Sequence, residues 1–231
     1  AKVKGTKVKI RLGASRGEWK AMVADEAART TFAKNIKTVL EKNKLDGIDL
    51  DFEWAENEKE YKDYSLAILK MREVLGDKYL FSVSLHPVCY KISKEAIEAV
   101  DFISLQCYGP SPVRFPIEKY CSDIQMVLEY GIPKEKLVAG VPFYGVTKDN
   151  SKKTEAYFNF VQNGLVTSPA QNEVIYQGDT YVFDGQDNIR IKTRYAKEQK
   201  LKGMMSWDLA TDLPLSDSRS LLKTMTEELR E

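Results

Sequence analysis

Strand-like and helix-like segments alternate along the whole of this 231-residue chain. Runs of alternating polar and apolar residues mark the strands, and apolar residues spaced three and four apart mark the helices. The predicted strands are 8–13, 46–53, 79–85, 101–108, 137–144 and 203–209, and the predicted helices are 25–44, 59–75, 93–100, 117–130, 189–200 and 216–230. Six successive βα units predict a parallel sheet with helical crossovers, either doubly wound or closed as a barrel.

The polar residues of the strands favour the barrel. A sheet covered by helices on both faces needs strands that are almost continuously apolar. Four of these strands instead carry a polar face, formed by Lys9 and Arg11; by Asp49, Asp51 and Glu53; by Ser82, Ser84 and His86; and by Ser104, Gln106 and Tyr108. A polar interior that is densest at the C-terminal strand ends is typical of a (βα) barrel. The Gly-x-Gly-x-x-Gly sequence of a dinucleotide fold is also absent. We therefore predict an α/β fold of the TIM-type (β/α)8 class.

Six βα units are two fewer than such a barrel requires. Because the chain starts almost inside a strand, we expect two further units to belong before Ala1, so that this chain holds the last six. We interpret residues 1–231 as one catalytic barrel domain with a short insertion at about 146–188. Within the insertion the sequence predicts a helix near 154–162 and a hairpin across 177–179.

The composition argues against several kinds of partner. Lys and Arg number 35 against 34 Asp and Glu, so a net charge of +1 provides no bulk field for nucleic acid or an anionic membrane. No apolar run approaches the ~20 residues of a membrane span. Three cysteines without Cys-x-x-Cys spacing argue against a disulfide scaffold and a structural zinc site. We expect a neutral partner, and neither a metal nor a cofactor.

The segment 46–53, Asp-Gly-Ile-Asp-Leu-Asp-Phe-Glu, carries the strongest functional signal. In a strand it places Asp49, Asp51 and Glu53 on one face and the apolar residues between them on the other. Carboxylates this close cannot ionise independently and cost stability, which favours a chemical role. The alternative is an edge strand with a solvated acidic face, but Lys, Arg and Thr usually share such faces and none occurs in this segment.

This segment resembles the Asp-Gly-x-Asp-x-Asp-x-Glu motif on the fourth barrel strand of the family 18 glycoside hydrolases, the chitinases and endo-β-N-acetylglucosaminidases. Further segments are similar to the third, fifth, sixth, seventh and eighth strands of that family, in order: 7–14, 80–87, 101–108, 140–145 and 203–209. The resemblance covers nearly the whole chain. Larger members of that family carry a whole extra α+β domain where this chain has only residues 146–188, so the resemblance implies no full insertion domain and a shallower, more open groove. The resemblance implies a retaining glycosidase that cleaves β-1,4 bonds of N-acetylglucosamine polymers, and a monomer if the barrel is complete.

The resemblance also implies the catalytic roles. Glu53 would protonate the glycosidic oxygen and later activate water, while Asp51 would orient the 2-acetamido group. Asp49 would adjust Asp51, and Tyr108 would hydrogen-bond the acetamido carbonyl. The substrate's own acetamide would be the nucleophile, as in this exception to the two-carboxylate scheme. Glu53 must then stay protonated above its ordinary pKa of ~4.3, which nearby negative charge favours.

The same resemblance implies a sugar-binding set. Trp207 would form the floor under the sugar, with Gln106, Tyr144 and His86 as further substrate-binding residues, although a lone histidine at a strand end is more often a wall residue. Arg11 stands where the family usually has a serine, and we expect it either to pair with Asp49 or to turn toward the absent strands. Trp19 and Trp54 either stack on sugars or cap the core.

Three functional interpretations remain open. The first is a secreted or periplasmic hydrolase of chitin, chitooligosaccharides or N-glycan cores, whose signal peptide has been removed. The second is a chitinase-like lectin that has lost turnover, and the third is an incomplete barrel with no independent function. Lectin-like members typically replace the acid with Leu or Gln, so the presence of Glu53 favours the enzyme.

Overall fold

The computed structural model describes residues 6–52, 55–109, 115–149 and 153–230. Its elements, in chain order, are β1 (Lys9–Gly13), α1 (Arg16–Ala24), α2 (Glu26–Lys42), β2 (Gly47–Asp51), α3 (Glu58–Leu75), β3 (Leu80–Leu85), α4 (Lys94–Ala99), β4 (Phe102–Leu105), α5 (Ile117–Tyr130), β5 (Leu137–Pro142), β6 (Tyr144–Thr147), β7 (Thr154–Ala156), α6 (Tyr157–Gln162), β8 (Glu173–Tyr176), β9 (Asp179–Val182), α7 (Gln186–Glu198), β10 (Gly203–Trp207) and α8 (Leu221–Arg230).

Six of the strands form one parallel sheet in the order β1-β2-β3-β4-β5-β10, which confirms the predicted βα repeat. The sheet curls strongly. Arg11 on β1 lies against Trp207 on β10, although these strands are at opposite ends of the strand order. The architecture is therefore a partial (βα) barrel whose inner face is the concave face of the sheet.

The outer face of β2 is packed under helices, as its apolar residues predict. Ile48, Leu50 and Phe52 are at most 1% exposed. The Phe52 ring stacks on Trp19 at 5.7 Å between centroids and meets Tyr64 edge-on at 5.0 Å. Trp19 is therefore a core residue, which leaves the alternate residues of β2 to face the inside of the sheet.

Asp46 and Gly47 fix the start of β2 against both neighbouring strands. The Asp46 carboxylate accepts a hydrogen bond from the Val8 amide at 2.7 Å, and its backbone carbonyl accepts one from Leu80 at 2.9 Å. A Cβ on Gly47 would lie 2.0 Å from the Leu80 carbonyl oxygen, so only glycine allows this approach. These contacts set the register that places the carboxylates of β2.

Helix α1 was not predicted. Its N-terminus is capped by Ser15 in a capping box with Glu18, and its apolar face buries Trp19 and Val23. A helix of nine residues with Gly17 in its first turn and two buried residues gives only a weak periodic signal. All the helices that were predicted are present. Short polar residues also cap α2, α3 and α4, where Asp25, Asn57 and Ser93 accept backbone N–H bonds.

Several strands and helices are shorter than predicted. The predicted strand 137–144 ends at Pro142, and the chain then enters β6 of a second sheet. The predicted strand 101–108 is regular only from Phe102 to Leu105, and the predicted helix 216–230 begins at Leu221. The apolar pattern thus predicts the presence of each element more accurately than its ends.

Residues 144–182, most of which belong to the predicted insertion, include a four-stranded antiparallel sheet in the order β7-β6-β9-β8. The predicted hairpin across 177–179 is confirmed, with Gln177 and Gly178 at φ +50° and +86° in a two-residue turn between β8 and β9. The predicted helix begins at Tyr157 and not at 154, because Thr154–Ala156 pairs with β6 as β7. No helix among the described residues has the length and apolar content to cross a bilayer.

Candidate functional site

A groove of about 550 Å³ follows the concave face of the six-stranded sheet. Four of the residues predicted for the site line it at the C-terminal ends of the strands: Asp49, Gln106, Tyr108 and Trp207. Asp51 lies next to them, because it contacts both Arg11 and Gln106. The fold thus brings together most of a site whose residues are up to 158 positions apart in sequence (207 − 49).

Asp49 is held deep in this face by hydroxyl donors. It is 7% exposed, and its carboxylate accepts hydrogen bonds from the hydroxyls of Ser82 and Ser84, the latter at 2.7 Å. The Lys9 ammonium lies 3.8 Å from the same carboxylate. Burial lowers the pKa of Lys9, and the charge of Asp49 opposes that change. Asp49 is therefore compensated by one cation and two hydroxyls, which allows a buried carboxylate at this position.

Asp51 heads a chain of polar contacts that leads across the groove. Its Oδ1 accepts a hydrogen bond from Gln106 Nε2 at 3.1 Å, and Gln106 Oε1 accepts one from the Tyr108 hydroxyl at 3.1 Å. Asp51 Oδ2 pairs with the Arg11 guanidinium. The orientation of the Asp51 carboxylate is consequently fixed from both sides, by β4 and its extension and by β1.

The sequence left two positions open for Arg11, a pairing with Asp49 or a turn toward the absent strands, and the structure pairs it with Asp51. In the strand register Arg11 is opposite Asp49, but its guanidinium bonds to Asp51, two residues further along β2. Lys9, opposite Gly47, reaches Asp49 in the same way. Side chains on strands lean along the strand direction, and both long cations extend toward the C-terminal ends. Each carboxylate of β2 therefore has its own cation.

Trp207 and Tyr144 form the far wall of the site. The guanidinium carbon of Arg11 lies 4.2 Å from the centroid of the Trp207 ring. Tyr144 meets Tyr108 edge-on, with 6.3 Å between ring centroids. Trp207 and Tyr144 also line a second pocket of about 290 Å³, beside β7 of the insertion. The exposed indole of Trp207 thus separates two compartments.

Gly140 on β5 makes room for Tyr108. A Cβ at this position would lie 2.7 Å from the Leu105 carbonyl oxygen, 2.9 Å from Met205 and 3.0 Å from the Tyr108 ring. The absence of a side chain lets the phenol approach the sheet and direct its hydroxyl to Gln106. In the sequence, Gly140 is only one residue of the segment 140–145 that resembles the seventh strand of the family. The space that it leaves for the Tyr108 ring is visible only in the fold.

His86 is not among the described residues that line the groove. It is 5% exposed and pairs through a β-bridge with Cys89. Its ring is so close to Gly109 that a Cβ there would lie 2.7 Å from two ring atoms. His86 therefore supports the turn after Tyr108, and a direct contact with sugar stays an untested prediction.

Glu53, the predicted general acid, and Trp54 lie outside the described residues. The role of Glu53 consequently rests on the sequence motif. The described residues also contain no group of three or more His, Cys, Asp or Glu side chains arranged to hold a metal ion.

The model of the family described as glycosyl hydrolases family 18 matches residues 1–212 of this chain. The chain belongs to glycosyl hydrolase family 18. A protein described as probable chitinase 2 of Drosophila melanogaster is 23% identical in an alignment that covers 84% of this chain. The chain spans about half the length of such family members, 53% in this case.

Solved structures of family members share this fold. The GH18 chitinase ChiB of Flavobacterium johnsoniae superposes with a TM-score of 0.81 at 25% identity, over 96% of this chain and 74% of that one. A chitinase-like agglutinin from Robinia pseudoacacia gives the same TM-score at 18% identity, over 96% and 80% of the two chains. The second likeness concerns the fold alone, and it shows that the fold occurs in proteins named as chitinases and in one named as an agglutinin.

The sequence did not predict the partners of the carboxylates on β2. Ser82, Ser84 and Lys9 belong to the predicted polar strand faces, but their convergence on Asp49 was not predicted. Met205 was also not singled out, although it lines the groove beside Gly140. The alternation of polar residues on neighbouring strands was the available signal, and the strand register needed to use it was missing.

Proposed function

We propose that this chain is the catalytic part of a retaining glycosidase that cleaves β-1,4 bonds in N-acetylglucosamine polymers, with chitin or chitooligosaccharides as substrate. One observation carries the proposal. The carboxylates of β2, the amide and phenol of Gln106 and Tyr108, and the indole of Trp207 meet at one end of one groove in a chain of glycosyl hydrolase family 18.

The chemistry needs a polarised acetamide and a proton donor. An acetamide that attacks the anomeric carbon of its own sugar develops positive charge, and the Asp51 carboxylate would stabilise that charge and orient the group. Since the nucleophile is intramolecular, the effective molarity is high, on the order of 10⁵ M or more. Tyr108 supplies a hydroxyl near the same position. We assign Asp49 the role of holding Asp51 in place, with the charge of Asp49 itself compensated by Lys9 and by the hydroxyls of Ser82 and Ser84.

Glu53 would protonate the leaving oxygen and then activate water. We expect Glu53→Gln to lower kcat on a chromogenic chitobioside by about 10²- to 10⁴-fold, the usual contribution of general acid–base catalysis. The matched control is Glu56→Gln, which makes the same change at an exposed position three residues later. Turnover by Glu53→Gln equal to that of the control would contradict the assignment.

Product stereochemistry tests the mechanism separately from the acid. A reaction through an oxazolinium ion retains the configuration of the anomeric carbon, so proton NMR of fresh chitooligosaccharide digests should show the β-anomer first. Initial release of the α-anomer would exclude the substrate-assisted route. Digestion of a high-mannose glycoprotein in parallel distinguishes chitin from N-glycan cores as the preferred substrate.

A second candidate is a sugar-binding protein without turnover. The agglutinin of the same fold favours it, since the fold alone does not require catalysis. Binding of chitooligosaccharides without any hydrolysis by the unaltered protein would support this second candidate. We propose the hydrolase first because Glu53 is present.

We further propose that the protein acts outside the cytoplasm, in secreted or periplasmic form, where polymers of this kind are accessible. Fractionation of the source cells followed by activity measurement tests the location. Activity confined to the cytoplasmic fraction would contradict it.

A further inference from the structure

Arg11 lies between the two side chains that the proposed function assigns to the sugar. Its guanidinium pairs with the carboxylate of Asp51, the proposed partner of the acetamido group. The same guanidinium lies 4.2 Å from the ring centroid of Trp207, the proposed floor under the sugar. One side chain therefore takes up both proposed sugar contacts at once.

We propose that Arg11 competes with the substrate for this position and must leave before an N-acetylated sugar ring binds. The inference rests on the proposed function and deepens it by naming the residue that sets the affinity of that site. Arg11 acts here through Asp51 and Trp207 and takes no part in bond breaking.

The contact with Trp207 covers the surface that a sugar would use. A guanidinium is planar and stacks on aromatic faces, as a pyranose ring also does. Trp207 is 38% exposed and lines the groove together with Arg11, so the stacked face is the one turned to the groove. A sugar ring and the Arg11 guanidinium cannot occupy this face at the same time.

The contact with Asp51 involves the oxygen nearest the groove wall formed by β1. Oδ1 of Asp51 accepts from Gln106 at 3.1 Å, whereas Oδ2 is paired with Arg11. An acetamido N–H that bonds to Oδ2 would replace the guanidinium N–H. The exchange substitutes one hydrogen bond for another, but it removes an ion pair, and the substrate must compensate for that loss.

Arg11 can leave without a change in the backbone. Its side chain is 37% exposed and lines the groove, so a rotation about the side-chain bonds brings the charge to water. Lys9 on the same strand is different, because its side chain is 21% exposed and is held by both Ser82 and Asp49. Of these two cations, Arg11 is the one placed to move.

Competition of this kind reduces the apparent affinity by the fraction of molecules in which the site is open. We expect Arg11→Ser to bind tri-N-acetylchitotriose about tenfold more tightly than the parent, measured by titration calorimetry with Glu53→Gln in both proteins to prevent hydrolysis. In proteins that retain Glu53, we expect the same substitution to lower KM about tenfold while kcat changes by less than about twofold.

Salt provides a second readout that a purely structural role would not change. Raising the ionic strength from about 0.01 M to about 1 M screens the pair of Arg11 and Asp51, so binding by the parent should tighten. Binding by Arg11→Ser should not respond to salt in this way. Lys202→Ser is the matched control, because Lys202 also lines the groove, but before the start of β10 and at the opposite end from Asp51.

Equal or weaker binding by Arg11→Ser overturns the inference, since Arg11 would then be idle or would bind the sugar itself. If Arg11→Ser fails to fold by circular dichroism, Arg11→Gln is measured under the same criteria. Hydrolysis by the parent with no gain in the variant refutes only the competition. If none of the proteins binds or hydrolyses chitooligosaccharides, both the competition and the proposed function are refuted.

Discussion

Two buried aspartate–cation pairs in this molecule have very different surroundings. Asp184 and Lys192 are 0% and 2% exposed in their side chains, and both Asp184 oxygens accept from Lys192 Nζ, at 2.6 and 2.7 Å. Asp51 is also buried and paired with a cation, yet its partner Arg11 is 37% exposed and lines the groove. A buried aspartate and a cationic partner are common to both pairs, and the exposure of the cation to the groove distinguishes them.

The comparison shows which property of a buried charge indicates chemistry. A sealed pair between the end of β9 and α7 can only stabilise or destabilise the fold, because no substrate can reach it. A pair that opens onto a groove can exchange one of its members for a ligand. The following predictions test this distinction on the stability of the sealed pair, on the activity that depends on the open pair, and on the stability of a third, partly exposed ion pair.

Removing Lys192 should have the largest effect, and it should be an effect on stability. Lys192→Met leaves the Asp184 carboxylate buried without its cation, which should lower the free energy of unfolding by about 3–5 kcal/mol. Asp184→Leu combined with Lys192→Met should recover much of the loss, because no isolated charge then remains. Chemical denaturation measures both variants, with the exposed Lys34→Met as the matched control.

The pH dependence of Lys192→Met provides a further check on the sealed pair. Burial raises the pKa of Asp184, and Lys192 opposes that rise. Without Lys192 the folded state holds a proton on Asp184 that the unfolded state releases, so the variant should lose stability as pH rises above about 4. A loss no larger than that of Lys34→Met at every pH would contradict the structural role.

Asp51→Asn should show the opposite combination of effects. The neutral amide cannot stabilise the charged acetamide, so kcat/KM on a chromogenic chitobioside should fall at least tenfold, equivalent to about 1.4 kcal/mol. Stability should change little, because Arg11 can turn to water. Asp77→Asn is the exposed control. A fall smaller than tenfold would count against substrate assistance.

Glu60 is a buried carboxylate whose two cationic partners are partly exposed, and its replacement should have the smallest effect on stability. Its carboxylate accepts from Lys20 at 2.9 Å and from Arg16 at 3.1 Å, and so joins α1 to α3. Hydrogen bonds from Lys20 and from the Glu56 amide lower the pKa of Glu60 to about 2. Because both cations are partly exposed, Glu60→Gln should cost about 1 kcal/mol near neutral pH.

The sign of the pH effect follows from the lowered pKa. A group whose folded pKa is below its unfolded value stabilises the fold above the unfolded value, here 4.5. The difference in unfolding free energy between the parent and Glu60→Gln should therefore be constant above pH 4.5 and shrink as pH falls toward 2. Glu58→Gln, an exposed change in the same helical turn, should show no such trend, and equal behaviour of the two variants would refute the assignment.

Much of the site could be predicted because the motif is local. Alternation along 46–53 separates Asp49 and Asp51 from the apolar residues of β2 whatever the rest of the chain does, since successive side chains on a strand point to opposite faces. The parallel βα repeat likewise predicts that the C-terminal strand ends meet, and this is enough to predict Tyr108 and Trp207 near the carboxylates.

The remaining features of the site depend on distances between segments. The sequence by itself determined the βα order, the acidic face of β2 and the family motif, because each is a property of neighbouring residues. Only the tertiary structure decided that Arg11 pairs with Asp51 and lies on Trp207, that Lys9 and two serines hold Asp49, and that His86 packs against Gly109. Those contacts depend on strand register, side-chain lean and the curl of the sheet, none of which is encoded within a single strand.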